Sequence, residues 1–181
     1  MIFKNIKILD LSRVLSGPLA TRHFAQQGAE VIKAEPPQGD DTRQFPPLVK
    51  GWSGYFEIFN HNKKSLVLNL KLPVDLEKFY ELCKDADVIV ENFSPAIKCK
   101  LKIDYPTIKK INRKIIYASL CGISNNNDCK YYDIIAQAES GLISINQTNS
   151  KTSIVDSFAG MKLAFAIAGA LYNRERTNEG E

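Results

Sequence analysis

Five short apolar runs rich in β-branched residues recur along this chain, each separated from the next by a segment of helical character. That alternation restricts the fold more than any other feature. The runs are IKILDL (6–11), EVIKAE (30–35), SLVLNL (65–70), DVIVENF (87–93) and KIIYASL (114–120). Between the first two, GPLATRHFAQQGA (17–29) reads as a helix, with Pro18 in its first turn and Gly28 as its stop. The clearest helix is PVDLEKFYELCKDA (73–86), opened by Pro73 and striped by Leu76, Phe79, Tyr80, Leu82 and Cys83. GYFEIFNHN reads as a short helix, PAIKCKLKIDYPTIKKINR as two more, and a final helix is expected after Asp156. Repeated strand–helix–strand units with strands this apolar predict an α/β fold, a Rossmann-like parallel sheet with helices on both faces. Ligands of such sheets bind beyond the carboxyl ends of the strands. The segments there hold Arg13, Lys71, Asn92, Phe93, Lys100 and Lys130.

Several function classes lack support. A length of 181 residues suits one domain with a full core, or one domain and a fragment of another. The net charge of +4 fits an anionic ligand, but the basic residues are scattered, so no nucleic-acid partner is expected. Cys83, Cys99, Cys121 and Cys129 form no C-x-x-C pair and do not cluster with His23 or His61, so no metal site is expected. Isolated cysteines suit a reducing cytoplasm. The N-terminus MIFKNIKILDLS turns polar too early for a secretory signal. FAGMKLAFAIAGALY reads as too short and too lysine-interrupted to span a bilayer. The first strand–helix turn offers only Gly17 where a dinucleotide site wants G-x-G-x-x-G. No G-x-S-x-G elbow occurs, and GDDTR reads as a solvated loop.

Arg13, Lys71, Lys100 and Lys130 are each ordinary surface charges when taken singly. Together at the ligand-binding edge they can grip phosphate oxygens. Phe93 can pack on a purine or belong to the core. Asp156, in SIVDSFAG, has two compatible readings. It can cap a helix N-terminus, accepting a backbone N–H bond. It can also attack a reactive carbonyl as a partly dried carboxylate. The two part on Asp156→Asn, which a cap survives and a nucleophile does not.

The segments ILDLSRVLSGPLATRHFAQQGAEVIKAEPPQGDDTR, FNHNKKSLVLNLK, ADVIVENFSP, YYDIIAQAESGL and DSFAG…ALYNRERTNEG together resemble the class III CoA-transferase family. This is the CaiB/BaiF group of formyl-CoA transferases, carnitine CoA-transferases and α-methylacyl-CoA racemases. The resemblance runs over essentially the whole chain. It implies that Asp156 matches the nucleophile of the transferases, which forms an aspartyl-CoA thioester through mixed anhydrides. It implies CoA contacts at Val14, Leu15, Leu68, Lys71, Asn92, Phe93, Lys100, Leu101 and Lys130. The three lysines would take phosphate oxygens, and the apolar residues would border the adenine. The substrates implied are an acyl-CoA and a carboxylic acid acceptor.

Two departures from the family pattern bear on function. The racemases carry a histidine before the aspartate of the YD motif; here that position is Tyr132, which favours transfer over proton exchange. The chain is also about half the usual family length. The expectation is a CoA-binding domain over 1–175 and the start of a connector over 176–181, inactive without a second half that is cut away or supplied by a separate polypeptide. The alternatives are a non-catalytic CoA- or nucleotide-binding relic and an α-methylacyl-CoA racemase-like enzyme, the latter disfavoured by Tyr132. Family members form interlocked ring-like dimers, so a homo-oligomer is expected. Apolar surface on the sheet should be left uncovered, and the final helix should fray near its stop at Gly180.

Overall fold

A computed structural model describes residues 1–122 and 131–181 of the chain. Its strands are β1 (Lys7–Asp10), β2 (Glu30–Glu35), β3 (Leu48–Val49), β4 (Trp52–Ser53), β5 (Lys64–Val67), β6 (Val88–Glu91) and β7 (Ile116–Ser119). Its α-helices are α1 (Ser16–Gln26), α2 (Gly54–Asn60), α3 (Pro73–Lys84), α4 (Pro95–Lys100), α5 (Tyr105–Ile111), α6 (Asp133–Glu139), α7 (Leu142–Asn146) and α8 (Ile154–Thr177). Five strands form one parallel sheet in the order β5-β2-β1-β6-β7, while β3 and β4 pair separately. The order reverses between β1 and β6, which makes their carboxyl ends the switch-point crevice.

The central strands β1 and β6 are apolar on both sides because both sides are covered. Ile8, Val31, Val88, Val90 and Ile116 point into one cluster, with Phe24 of α1 and Ile167 and Leu171 of α8. Leu9, Ile89 and Ile115 point into the other, with Phe79 and Cys83 of α3 and Ile108 of α5. Alternate residues of a strand therefore feed opposite cores. Helix α8 runs antiparallel to the strands. Its first turn meets the start of α1, and near its far end Arg174 pairs with Asp87, just before β6, at 2.8 Å.

Several expectations are corrected. The third strand ends at Val67, and Leu68 to Leu70 leave the sheet. The final helix starts at Ile154, ahead of Asp156, and runs unbroken for 24 residues. It is thus longer than the sequence reading allowed, and its length and hydropathy are those of a bilayer span. Packing accounts for only part of that character: Gly160, Ile167 and Leu171 are buried, with α8 lying along α1 and β7, while most of its apolar window is not buried. Its stop is Asn178, in left-handed backbone, and not Gly180. Beyond it the tail is held by Gly180 N–H donating to the Arg113 carbonyl and Tyr117 N–H donating to that of Glu181. The central strands are covered, but the edge strand β5 leaves Val67 exposed, and further large exposed apolar residues lie on α8: Phe158, Met161, Phe165 and Tyr172.

Candidate active site

The carboxyl end of β1 carries a charge network invisible in the linear sequence. Asp10, the last residue of β1, is fully buried and accepts from Lys63 Nζ at 2.9 Å, Thr21 Oγ1 at 2.6 Å and Ser12 N at 3.0 Å, and from the Ser12 hydroxyl. Lys63 also donates to the Pro18 carbonyl and to Asn60 Oδ1, each at 2.9 Å, so all three of its protons are placed. On β2, Lys33 lies 2.9 Å from Asp40 and donates to the Ser12 carbonyl. Glu35 takes a two-pronged bond from Arg43 at 2.6 and 2.7 Å. The loop that read as solvated is therefore anchored: Asp40 and Thr42 are buried, and Asp40 caps the short turn after it by accepting from Thr42 N.

Burial alone would raise the pKa of Asp10, yet Lys63, Lys33 and the hydroxyls of Ser12 and Thr21 hold it far below its ordinary 3.8. Glu35 and Asp40 are likewise lowered against their burial, by Arg43 and by Lys33 respectively. Burial brings Lys63 down to about 8 despite the pull of Asp10. A carboxylate with a lowered folded pKa contributes stability that is present above its unfolded pKa and lost as pH falls toward its folded pKa. With ordinary values of 3.8 and 4.5, folding free energy is expected to hold from neutral pH down to about pH 5 and to decline steadily below it. Urea midpoints measured across that range check this; a flat profile down to pH 3 would contradict it.

This network fixes the β1–α1 turn, and the turn delivers Ser16 to Asp156. Ser16 Oγ donates to Asp156 Oδ1 at 2.9 Å. The helices can come this close because Gly160, one turn after Asp156, has no side chain; a Cβ there would sit 2.6 Å from the Ser16 carbonyl oxygen. Gly17 likewise leaves room for the side chain of Ser12. Asp156 is not the N-cap of α8. Ser153 holds that position without a side-chain bond, and Asp156 is the third helical residue. The capping bond comes from elsewhere: Asp133 Oδ1, at the start of α6, accepts from Asp156 N at 2.9 Å. The Asp156 carboxylate is thus left half-buried with Ser16 as its one hydrogen-bond donor among the described residues.

Burial is the main cause that raises the Asp156 pKa above 3.8; the nearby Asp133 adds to it and the Ser16 bond opposes it. Tyr55 of α2 responds to the same cluster, its phenol pushed up by burial and by the charges of Asp156, Asp40 and Asp133. Removing the opposing bond with Ser16→Ala is expected to raise the Asp156 pKa further. A carboxyl 13C titration of Asp156 reads this directly, and an unmoved or lowered midpoint would refute the assignment.

The other sequence-derived residues fall into three groups. Val14, Leu15 and Asn92 gather at the switch point, where the Asn92 amide bonds the Arg13 peptide groups. Leu68, Phe93 and Leu101 pack in the second core cluster. Leu15 and Leu68 are buried and offer little side chain to a ligand. Lys71 and Lys100 are exposed, and neither ammonium is engaged by an acid among the described residues. Lys98, two residues before Lys100, is committed to Glu91 at 2.8 Å. Lys130 and Cys129 lie outside the described residues. Tyr132 is 57% exposed and precedes α6. Ser16, Tyr55 and Lys63 escaped the sequence reading, and Asp133 entered it only as the aspartate of the YD motif, without a role. The signals available for them, a serine and an acid at helix starts, resemble ordinary caps.

A parallel sheet of this order, with a half-buried aspartate set where two helices start near the switch point, is a doubly wound α/β protein with a candidate site at its ligand-binding edge. The profile of CoA-transferase family III matches residues 3–181, and the chain belongs to that family. It is 39% identical to the acetyl-CoA:oxalate CoA-transferase of Acetobacter aceti, over 98% of this chain and 49% of that protein. It is 35% identical to the succinyl-CoA:mesaconate CoA-transferase of Haloarcula marismortui, over 98% and 49%. Among solved structures, a CAIB/BAIF family protein from Brucella suis superposes with a TM-score of 0.93 at 31% identity, covering 98% of this chain and 51% of that one. The chain spans about half the length of the curated relatives it matches.

Proposed function

We propose that this chain is the CoA-binding, nucleophile-bearing part of a CoA-transferase that moves CoA from an acyl-CoA thioester to a carboxylic acid. The observation that carries the reading is the setting of Asp156: released from capping by Asp133, half-buried, and held by one hydroxyl where α1 and α8 begin. The names of the relatives support the reaction class.

In this mechanism the ionised Asp156 attacks the thioester carbonyl. A C–O bond forms, the C–S bond breaks, and CoA leaves as thiolate from a mixed anhydride. The thiolate then attacks the Asp156 acyl carbon, releasing the donor acid with one of the aspartate's oxygens and leaving an aspartyl thioester. An acceptor carboxylate attacks that thioester, and the returning thiolate takes the acceptor's acyl carbon and regenerates Asp156. Every intermediate is an activated acyl group, so no ATP is needed. Burial and Asp133 make Asp156 a more basic, hence stronger, nucleophile once ionised, while Ser16 favours the ionised form. The positive ends of α1 and α8 favour negative charge at this spot. Lys71, Lys100 and Lys130 take CoA phosphates. Val14, Phe93 and Leu101 border the adenine, backed by the buried Leu15 and Leu68, with Asn92 beside them at the crevice. Tyr132 in place of histidine disfavours racemisation.

In the complete enzyme, residues 1–175 form this domain, 176–181 lead toward a second one, and the assembly is a homodimer. Self-association of the chain through the apolar face of α8 is expected, with Phe165→Lys shifting it toward monomer in solution scattering; an unaltered monomer in both forms would remove the prediction.

The reading is tested by incubating the chain with acetyl-, succinyl- or formyl-CoA, with and without the C-terminal half of a curated relative added as a separate polypeptide. The expected result is a peptide containing Asp156 that gains the mass of CoA less one water and loses it to hydroxylamine, only with the added half present. CoA retention without any adduct would reduce the chain to a binding module, and no retention at all would sink both.

A further inference from the structure

We propose that Asn92 acts as a positioning residue that holds Val14 in a strained left-handed turn and so presets the switch point for CoA. This rests on the reading above for its ligand, not for its structure. Val14 has φ of +71°. A β-branched residue there is a genuine outlier, because its Cβ crowds the neighbouring carbonyl. Such strain persists only where the surroundings over-determine it.

Here they do, from both sides of the residue. Upstream, the Asn92 side chain clamps the Arg13 peptide groups: Oδ1 accepts from Arg13 N at 3.0 Å and Nδ2 donates to Arg13 O at 2.8 Å. Ser12 is bonded through its N–H to Asp10 at 3.0 Å, and its carbonyl accepts from Lys33 at 2.9 Å. Downstream, α1 begins two residues after Val14, with Gly17 packed on Ser12. The clamp joins β6 to the β1 turn across the crevice where the strand order reverses. Asn92 therefore commits both its amide oxygen and its amide nitrogen to the turn. Its loss frees Arg13 and lets Val14 rotate to negative φ, which moves the peptide groups that border the crevice.

The test is a double-mutant cycle of Asn92→Ala and Val14→Gly, read by urea unfolding and by calorimetric titration with CoA. Glycine takes positive φ without the Cβ penalty. If the clamp holds strain, Val14→Gly is more favourable to folding in the Asn92 background than in the Asn92→Ala background, by about fivefold or more in the unfolding constant. This arm stands whether or not CoA binds. In titration, Asn92→Ala weakens CoA about tenfold or more, of the order of one lost hydrogen-bonded contact. Val14→Gly recovers part of that loss, because the turn reaches its bound shape without strain. Equal effects of Val14→Gly on folding in both backgrounds overturn the clamp. A recovered fold coupling with purely multiplicative CoA losses overturns the positioning role and makes Asn92 a direct contact. No CoA binding by the unsubstituted chain defeats the proposed function and leaves the folding arm to judge the clamp.

Discussion

Asp156→Asn is expected to abolish the CoA adduct and, in the completed enzyme, to cut transfer by on the order of 10⁶, the scale on which loss of a covalent nucleophile is felt elsewhere. An amide cannot form the anhydride, whatever the rest of the site does. The same change is expected to stabilise the fold at neutral pH. The Asp156 pKa is raised in the folded state, so the folded chain binds that proton more tightly than the unfolded one does. The ionised acid therefore costs stability above its folded pKa, and the cost disappears as pH falls toward its unfolded value. Asparagine removes the cost and can still accept the Ser16 hydroxyl. The stability gain should thus be present at pH 7 and vanish by about pH 4. Urea unfolding at both values, beside the adduct assay, separates the two roles. A cap would behave oppositely, losing little function and gaining no stability.

Lys63→Met is expected to be the most damaging single change to the fold. Its side chain is 1% exposed and its three donors reach Asp10, Pro18 and Asn60. Methionine fills the volume but leaves the Asp10 charge buried with only hydroxyls, the Ser12 N–H and the more distant Lys33. Breaking one partner from a buried pair costs about 3–5 kcal/mol, a large share of the roughly 5–15 kcal/mol that holds a domain together. The damage should reach the site as well, because Asp10 anchors Ser12 and Ser12 anchors the turn that carries Ser16. Chemical denaturation measures the first effect, and a loss below about 1 kcal/mol would mean that water replaces the ammonium. Adding Asp10→Asn to Lys63→Met should cost less than the sum of the two single changes, since the stranded charge is then gone.

The strand–helix alternation was legible because strand and helix periods are local. Ile8 and Leu9 read as neighbours in an apolar run and bury on opposite faces of one sheet. Pro73 and the stripe after it mark α3 in the same way. Helix ends were harder to read. Ser153 and Asp156 both suit an N-cap by type, and which one starts the helix depends on Asp133 arriving from a separate helix. Lys33 sits in a strand whose alternation allows burial, yet only the approach of Asp40 makes burial of its charge tolerable. GDDTR looked solvated for the same reason: its partner stands on another strand.

By itself, the sequence determined the set of elements, the parallel doubly covered class, the family likeness and the candidate acid. Spacing along the chain fixes which side chains share a face, and burial of apolar area then selects the layers. Only the tertiary structure decided that Asp156 is held by Ser16, 140 residues earlier, that Asp133 takes over its capping role, and that Asn92 grips a turn 79 residues away. Those bonds join groups that no local rule pairs. Their geometry is set by the order in which strands assemble and by a glycine, Gly160, that lets two helices meet.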